Sequence, residues 1–334
     1  MKFVNLGRSG LKVSRIALGC MSFSLEARDW RIDESASFSI IRQALESGIN
    51  FFDTADMYGE GESEMVLGRA IKRYAKRDEV VLATKVYYPV RPDVNGRGLS
   101  RKAIFASIDA SLQRFGCDFV DLYQIHRWDS NTPIDETLEA LHDVIRAGKV
   151  RYIGASSMFA WQFCKALYLA DIRGWTRFIS VQPHYNLLNR EEEREMLPLC
   201  RAEGIGVIPY SPLARGRLAR PWAAPSSSDR VRHDRTAEML YTSTMDADRR
   251  VVDALGRVAV RKGVDMAQVA LAWTLMQSGI VAPIVGAAKA KHLSDAIAAV
   301  DLQLDDSDCA ELESDYVPHP FSFNQELPGR EPDR

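Results

Sequence analysis

Short apolar runs rich in branched and aromatic residues alternate along this chain with longer stretches of helical period. Eight such runs stand out: Ile16–Leu18, Phe51–Asp53, Val80–Thr84, Phe119–Ile125, Tyr152–Ala155, Ile179–Gln182, Val207–Tyr210 and Val281–Val285. Runs of this length and make-up read as buried strands. Between them, apolar residues recur three and four positions apart over Ser35–Ser47, Glu62–Lys72, Ser100–Phe115, Ile134–Ala147, Ala160–Asp171, Arg190–Ala202 and Met266–Gln277. That spacing predicts amphipathic helices. Ser100 is placed to cap one helix, and Thr132-Pro133 offers a cap and a first-turn proline for another. Gly48, Gly116, Gly148 and Gly204 fall just past helical runs, where a positive φ is wanted. Ahead of all this, Phe3–Val13 carries Gly-Arg-Ser-Gly between apolar pieces and predicts a β-hairpin.

Eight strands alternating with helices predict an α/β fold, a (β/α)8 TIM barrel, as one domain over residues 1–334. A doubly wound open sheet is the alternative, but its usual G-x-G-x-x-G follows no strand here. Gly7, Gly10, Gly59 and Gly61 read as turn glycines. The interval between the seventh and eighth runs is long, and its middle, 214–246, is rich in Arg, Ser, Pro and Trp. A mobile loop is expected there. From Tyr316, with Pro318, Pro320 and Pro328, the tail 316–334 reads as extended chain laid over the barrel or frayed from it.

Composition narrows the function classes. The chain has 334 residues, 46% hydrophobic and 26% charged, with 43 Lys and Arg against 45 Asp and Glu. No nucleic-acid footprint follows from that balance. No apolar run of ~18 residues predicts a membrane span, and the N-terminus turns polar too quickly for a secretory signal. The five cysteines, Cys20, Cys117, Cys164, Cys200 and Cys309, lie far apart. They predict free thiols in a cytoplasmic protein rather than a disulfide framework or a zinc site. His142, His233 and His319 have no companions that would make a metal site, and His184 reads as structural.

Barrel chemistry sits at the carboxyl ends of strands. There the chain places Asp53 on the second strand, Lys85 on the third and His126 on the fourth, with Tyr58 five residues past Asp53. Neighbouring strands lie ~4.8 Å apart, so Asp53 and Lys85 at equal height can pair. Tyr58 can turn back over the lysine. The ammonium is expected to draw the phenol's pKa below its ordinary value of about 10. Tyr58 would then protonate a carbonyl oxygen while His126 steadies the same oxygen, and the hydride must come from a cofactor.

Four motifs carry a resemblance: Phe51-Phe52-Asp53-Thr54-Ala55-x-x-Tyr58-Gly59, Ala83-Thr84-Lys85, Asp121-Leu122-Tyr123-Gln124-Ile125-His126 and Pro209-Tyr210-Ser211-Pro212-Leu213-Ala214-Arg215-Gly216. In this order and spacing they resemble the aldo-keto reductase family over nearly the whole chain. Gln124–Asp129 and Tyr316–Pro320 further resemble a bacterial branch near the 1-deoxyxylulose-5-phosphate-synthase-like reductases, related to potassium-channel β-subunits.

The resemblance implies a catalytic tetrad of Asp53, Tyr58, Lys85 and His126, and NADP(H) lying across the barrel mouth. Ser156, Ser157 and Gln182 would bind the nicotinamide carboxamide, with Ser157 where many relatives carry Asn. Tyr210 would stack on the nicotinamide. Ser211, Pro212, Leu213 and Gly216 would line the pyrophosphate, with Arg215 and Arg217 supplying charge. Gly286, Ala288, Lys289, His292 and Asp295 align with the adenosine end, where Ala288, His292, Asp295 and Ala296 depart from the usual residues. Lys289 and Lys291 face the 2′-phosphate or form a solvated surface, so NAD(H) stands as the alternative cofactor. Met21, Met57, Tyr87, Tyr88, Arg127 and Trp128 are expected to line the substrate pocket. The implied function is reduction of aldehydes or ketones, with a small-molecule carbonyl or alcohol substrate expected as partner and neither nucleic acid nor membrane. A nucleotide-sensing module with little turnover is the alternative. A Schiff-base lyase using Lys85 is disfavoured, because a carboxylate partner keeps an amine protonated.

Overall fold

The computed structural model describes residues 1–223, 240–241 and 244–319. The expected hairpin is formed by β1 (Phe3–Asn5) and β2 (Lys12–Ser14), paired antiparallel. Eight strands follow: β3 (Ala17–Gly19), β4 (Phe51–Asp53), β5 (Val81–Val86), β6 (Val120–Ile125), β7 (Val150–Ser156), β8 (Ser180–Gln182), β9 (Gly206–Val207) and β10 (Ile284–Gly286). They make one parallel sheet in the order β10-β3-β4-β5-β6-β7-β8-β9. The two edges meet, because Val207 bridges Ile280 and Tyr210 bridges Ile284. The sheet is therefore a closed barrel, as the alternation predicts.

Around it run α1 (Glu34–Glu46), α2 (Glu62–Tyr74), α3 (Arg101–Phe115), α4 (Ile134–Arg146), α5 (Ala160–Arg173), α6 (Met196–Glu203), α7 (Met245–Lys262), α8 (Met266–Met276), α9 (Ala290–Ala298) and α10 (Asp306–Glu313). Ser100 caps α3 by accepting from Ala103 N at 3.2 Å. Gly48, Gly116, Gly148 and Gly204 all take positive φ, between 67° and 81°. Pro133 is itself the residue before α4, one position earlier than expected: its carbonyl already accepts from Thr137 N. The helix expected over Arg190–Ala202 is split into a 3-10 turn at Glu191–Glu193 and α6. Pro198 explains the break, since a residue without N–H fits the first turn of a helix from Met196 but would interrupt one from Arg190.

Alternation along each strand sorts residues into two layers. Leu18, Phe52, Leu82, Tyr123, Ile153 and Val181 pack outward against the helices. Ala17, Phe51, Val81, Ala83, Leu122 and Ile208 fill the barrel, and Leu6 and Val13 of the hairpin join this inner cluster. Gly7 lets the hairpin press close. Its φ is +59°, and a Cβ there would lie 2.5 Å from Ile179 O. Each fully buried Phe contributes roughly 1.5–3 kcal/mol from removal of apolar surface from water.

Of the loop expected over 214–246, residues 224–239 and 242–243 lie outside the described residues. Of its described parts, Ala214–Ala219 forms a tight turn and Leu240 and Tyr241 are buried, while Pro221, Ala223 and Met245 are exposed. The tail lies over the barrel at Tyr316–His319. Tyr316 Oη donates to Glu191 Oε1 at 2.7 Å, His319 N donates to the same oxygen at 3.0 Å, and the His319 ring meets Asp248 at 3.0 Å. Residues 320–334 lie outside the described residues. Among the described residues, no helix is long and apolar enough to cross a membrane.

Candidate active site

The inward parity that buries Phe51, Ala83, Leu122 and Ser180 puts Asp53, Lys85, Gln124 and Gln182 one layer higher, towards the carboxyl ends of the strands. Asp53 pairs in register with Ala83, so Lys85 stands two residues beyond the level of Asp53 rather than beside it. Its stem reaches back. Lys85 Nζ lies 2.5 Å from Asp53 Oδ1 and donates to Thr54 O at 2.8 Å. Asp53 Oδ2 accepts from Gln124 Nε2 at 3.0 Å and Gln182 Nε2 at 2.9 Å. Both charges are buried, with side-chain exposures of 0% and 4%. Such a pair is tolerated because its remaining polar groups find partners as well.

Past β4 the chain folds into the tight turn Tyr58–Gly61, with Gly59, Glu60 and Gly61 all at positive φ. This turn brings the Tyr58 ring over the lysine, with Nζ 5.2 Å from the ring centroid. His126 meets Tyr58 edge-on at 5.9 Å between centroids. Tyr88 also meets His126 edge-on, at 4.9 Å between centroids. The four residues of the expected tetrad thus line one opening.

Burial is the largest influence on the Tyr58 phenol and raises its pKa above the ordinary value, while Lys85 pulls it down without reversing the shift. The expected net lowering is therefore corrected: the phenol is protonated at neutral pH. Burial by itself would lower the pKa of Lys85, but Asp53 and Tyr58 together hold it above its ordinary value. An amine so firmly charged is a poor nucleophile, which weighs against Schiff-base chemistry. Burial, then the charges of Lys85 and Arg127, push the His126 imidazole well below its ordinary pKa. It is neutral. Its buried Nδ1 has no hydrogen-bond partner among the described residues. A proton on Nε2 leaves only an acceptor unsatisfied and gives the ring one donor to offer at the mouth.

The residues expected around a nicotinamide gather beside this opening. Ser156 Oγ donates to Gln182 O at 2.8 Å, and Ser157 Oγ donates to Tyr210 Oη at 3.3 Å. Gln182, expected to help at the carboxamide, turns its amide nitrogen to Asp53, where a buried carboxylate needs donors. Beyond Tyr210, Ser211, Ala214, Arg215 and Gly216 all take positive φ. Left-handed residues in so short a stretch turn main-chain N–H groups toward one concave face, which suits an anion such as a pyrophosphate. Pro212 is buried within this loop, and Leu213, Arg215 and Arg217 are half-buried. The residues present fit a dinucleotide there.

At the far end, Gly286, Ala288, Lys289 and His292 are exposed around the start of α9. Lys291 is tied to Asp265 and, at 2.9 Å, to Asp295. Asp295 also accepts from Gln268 Nε2 at 3.1 Å. Of the two lysines, Lys289 is thus the one at the helix start with no acid bound to it among the described residues.

Among the substrate candidates, Arg127 Nε donates to Tyr88 Oη at 2.8 Å. Tyr87 meets Tyr88 edge-on at 5.2 Å, and Trp128 meets Trp161 at 6.1 Å. Met21 and Met57 are half-buried after β3 and β4.

Residues 15–316 match the model of the aldo/keto reductase family. The chain belongs to that family. It is 42% identical over 337 residues to versiconal hemiacetal acetate reductase of Aspergillus parasiticus, covering 95% of this chain and 98% of that one. It is 40% identical over 339 residues to a candidate aryl-alcohol dehydrogenase of Saccharomyces cerevisiae, with 95% and 98% covered. An aldo-keto reductase of Metarhizium robertsii is 39% identical over 340 residues, with 95% and 91% covered.

This aldo-keto reductase is an oxidoreductase whose relatives are named as reductases and an aryl-alcohol dehydrogenase. Three residues beside the expected site are ones the sequence reading does not single out: Gln124, Asn186 and Tyr241. Gln124 had a usable signal, a lone amide on the inward face of an apolar strand two residues before His126. Asn186 and Tyr241 are joined across 55 residues, and no local pattern announces that meeting.

Proposed function

We propose that this aldo-keto reductase uses NADP(H), with NAD(H) the alternative, and that Tyr58 is its general acid. When bound, the dinucleotide supplies the hydride. Ser157, Tyr210 and the Ser211–Arg217 loop would hold it, with Lys289 near the 2′-phosphate. The neutral His126 donates one hydrogen bond to the substrate oxygen and orients it. Tyr58 Oη gives its proton to that oxygen as negative charge develops there. The Lys85 ammonium stabilises the phenolate left behind, and Asp53, held by Gln124 and Gln182, keeps that ammonium aimed. Tyr87, Tyr88, Arg127, Trp128, Met21 and Met57 would shape the pocket for a small carbonyl compound, and the relatives' names make aryl aldehydes a sensible first panel.

A single observation carries this reading: the Tyr58 ring set 5.2 Å, centroid to Nζ, over a fully buried, carboxylate-bound Lys85. The five thiols, all free, suit a reducing compartment, and we place the enzyme in the cytoplasm. The finer likeness to a bacterial branch rests on its two sequence segments alone, since the relatives compared are fungal. NADPH oxidation with aliphatic and aryl aldehydes tests the proposal. Turnover supports it; tight NADPH binding without turnover on any carbonyl would favour the sensing module instead.

A further inference from the structure

His184 takes no part in the proposed reaction, yet it lies against the ring expected to carry the nicotinamide. It sits two residues past β8 and bridges Tyr210 in parallel. Its imidazole stacks on the Tyr210 ring, 5.3 Å between centroids and 16° between planes. Its Nε2 lies 2.8 Å from Tyr241 Oη and 3.3 Å from Asn186 Nδ2. The same Asn186 nitrogen donates to Tyr241 Oη at 3.1 Å and to Ser211 O at 2.9 Å. Asn186 is fixed in turn by Leu188 N and Asn189 N, which donate to its Oδ1 at 2.8 and 3.1 Å. Burial, with the charges of Arg215, His319 and Arg127, lowers the His184 pKa to about 3, so a neutral ring backs Tyr210.

His184 therefore grips the Tyr210 ring and Asn186 the Ser211 backbone, while Tyr241, from a distant segment, ties those two side chains together. We propose that His184, Asn186 and Tyr241 form a bracket that fixes Tyr210 and Ser211 before the cofactor arrives, with His184 and Tyr241 acting as positioning residues for the nicotinamide end. This rests on the reading that Tyr210 carries the nicotinamide. A platform already held in one rotamer spares the ordering entropy that binding would otherwise cost. The effect should be local to one end of the dinucleotide, and that locality separates it from general support of the fold.

The test is calorimetric titration of the full chain with NADPH and with adenosine 2′,5′-bisphosphate, which lacks the nicotinamide. His184→Leu removes the stack and the hydrogen bonds. Tyr241→Phe removes only the hydroxyl and guards against a misfolded first variant. The bracket predicts NADPH affinity lower by about tenfold in His184→Leu and about threefold in Tyr241→Phe, with bisphosphate affinity within about twofold of wild type in both. Equal loss of both ligands, or unchanged NADPH affinity in both variants, overturns it. Tyr210→Ala separates the two levels. If that variant binds NADPH as wild type does, the underlying reading fails; if it binds weakly while the bracket variants do not, the bracket alone fails.

Discussion

Lys85 Nζ lies 5.2 Å from the centre of the Tyr58 ring while Asp53 Oδ1 grips it at 2.5 Å. The two contacts divide the work. Asp53 offsets the cost of burying a cation, and the cation in turn offsets the cost of leaving a phenolate in the same dry pocket. Burial still wins in the resting protein, so Tyr58 keeps its proton until a stronger base appears. Removing either member should therefore impair chemistry more than binding. In Tyr58→Phe and Lys85→Met, kcat for aldehyde reduction should fall by about 10²–10⁴, the range for a lost general acid, with cofactor affinity within a few fold. Steady-state kinetics beside fluorescence titration with NADPH would show this split; a parallel loss of both would argue that these residues build the fold instead.

Proton inventory gives a second expectation. The Tyr58 phenol is raised and the His126 imidazole is well lowered, so neither changes charge between mildly acidic and mildly alkaline pH. Reduction should run with a flat kcat across that span and decline at alkaline pH, where the phenol loses the proton it must give. A limb near the ordinary histidine value that disappears in His126→Asn would show that the imidazole titrates, against the present account.

Asp56 lies behind the catalytic turn, where its Oδ2 accepts from Ser107 Oγ at 2.7 Å. Burial lifts its carboxyl from 3.8 to about 7. A carboxyl raised on folding contributes stability that is full below its ordinary value and is lost as pH climbs through the folded one. Asp56→Asn escapes that loss. Its stability relative to wild type should improve between pH 5 and pH 8 by up to about 2.7 kcal/mol, since roughly two pH units separate pH 5 from the folded value at about 1.4 kcal/mol per unit. Urea unfolding at the two pH values decides it, and an equal difference at both would refute the linkage.

Gly68 sits in α2 against the end of α3, where an added Cβ would come 2.3 Å from Phe115 O. Alanine is the better helix former by about 1 kcal/mol, but overpacking against backbone costs about 1–3 kcal/mol. Gly68→Ala should come out destabilised, read as a lower urea midpoint at unchanged slope. A raised midpoint would mean the two helices can part at little cost.

Alternation made the barrel legible because each strand is short, apolar and bounded by turns; β4 at Phe51–Asp53 runs over the residues expected. The last two strands were less so. Pro209 and Pro283 lack N–H groups, so regular pairing stops at Val207 and starts at Ile284, with single bridges between. Parity along β4 and β5 also carried Asp53 and Lys85 into one cavity. What the sequence did not disclose was the balance at Tyr58, since the depth of burial that outweighs the lysine is a property of the assembled mouth. Nor could it disclose how Glu191, His319 and Tyr316 join across more than 120 residues, because such contacts follow from chain return and not from local pattern.

The Lys85 charge eases ionisation of the Tyr58 phenol, against the burial that resists it. Carbon-13 NMR of Tyr Cζ, with Tyr58→Phe to assign the signal, measures that pKa directly in wild type and in Lys85→Met. Tyr58 should titrate at higher pH once the ammonium is gone. A Tyr58 that titrates at the same pH or lower in Lys85→Met would contradict it.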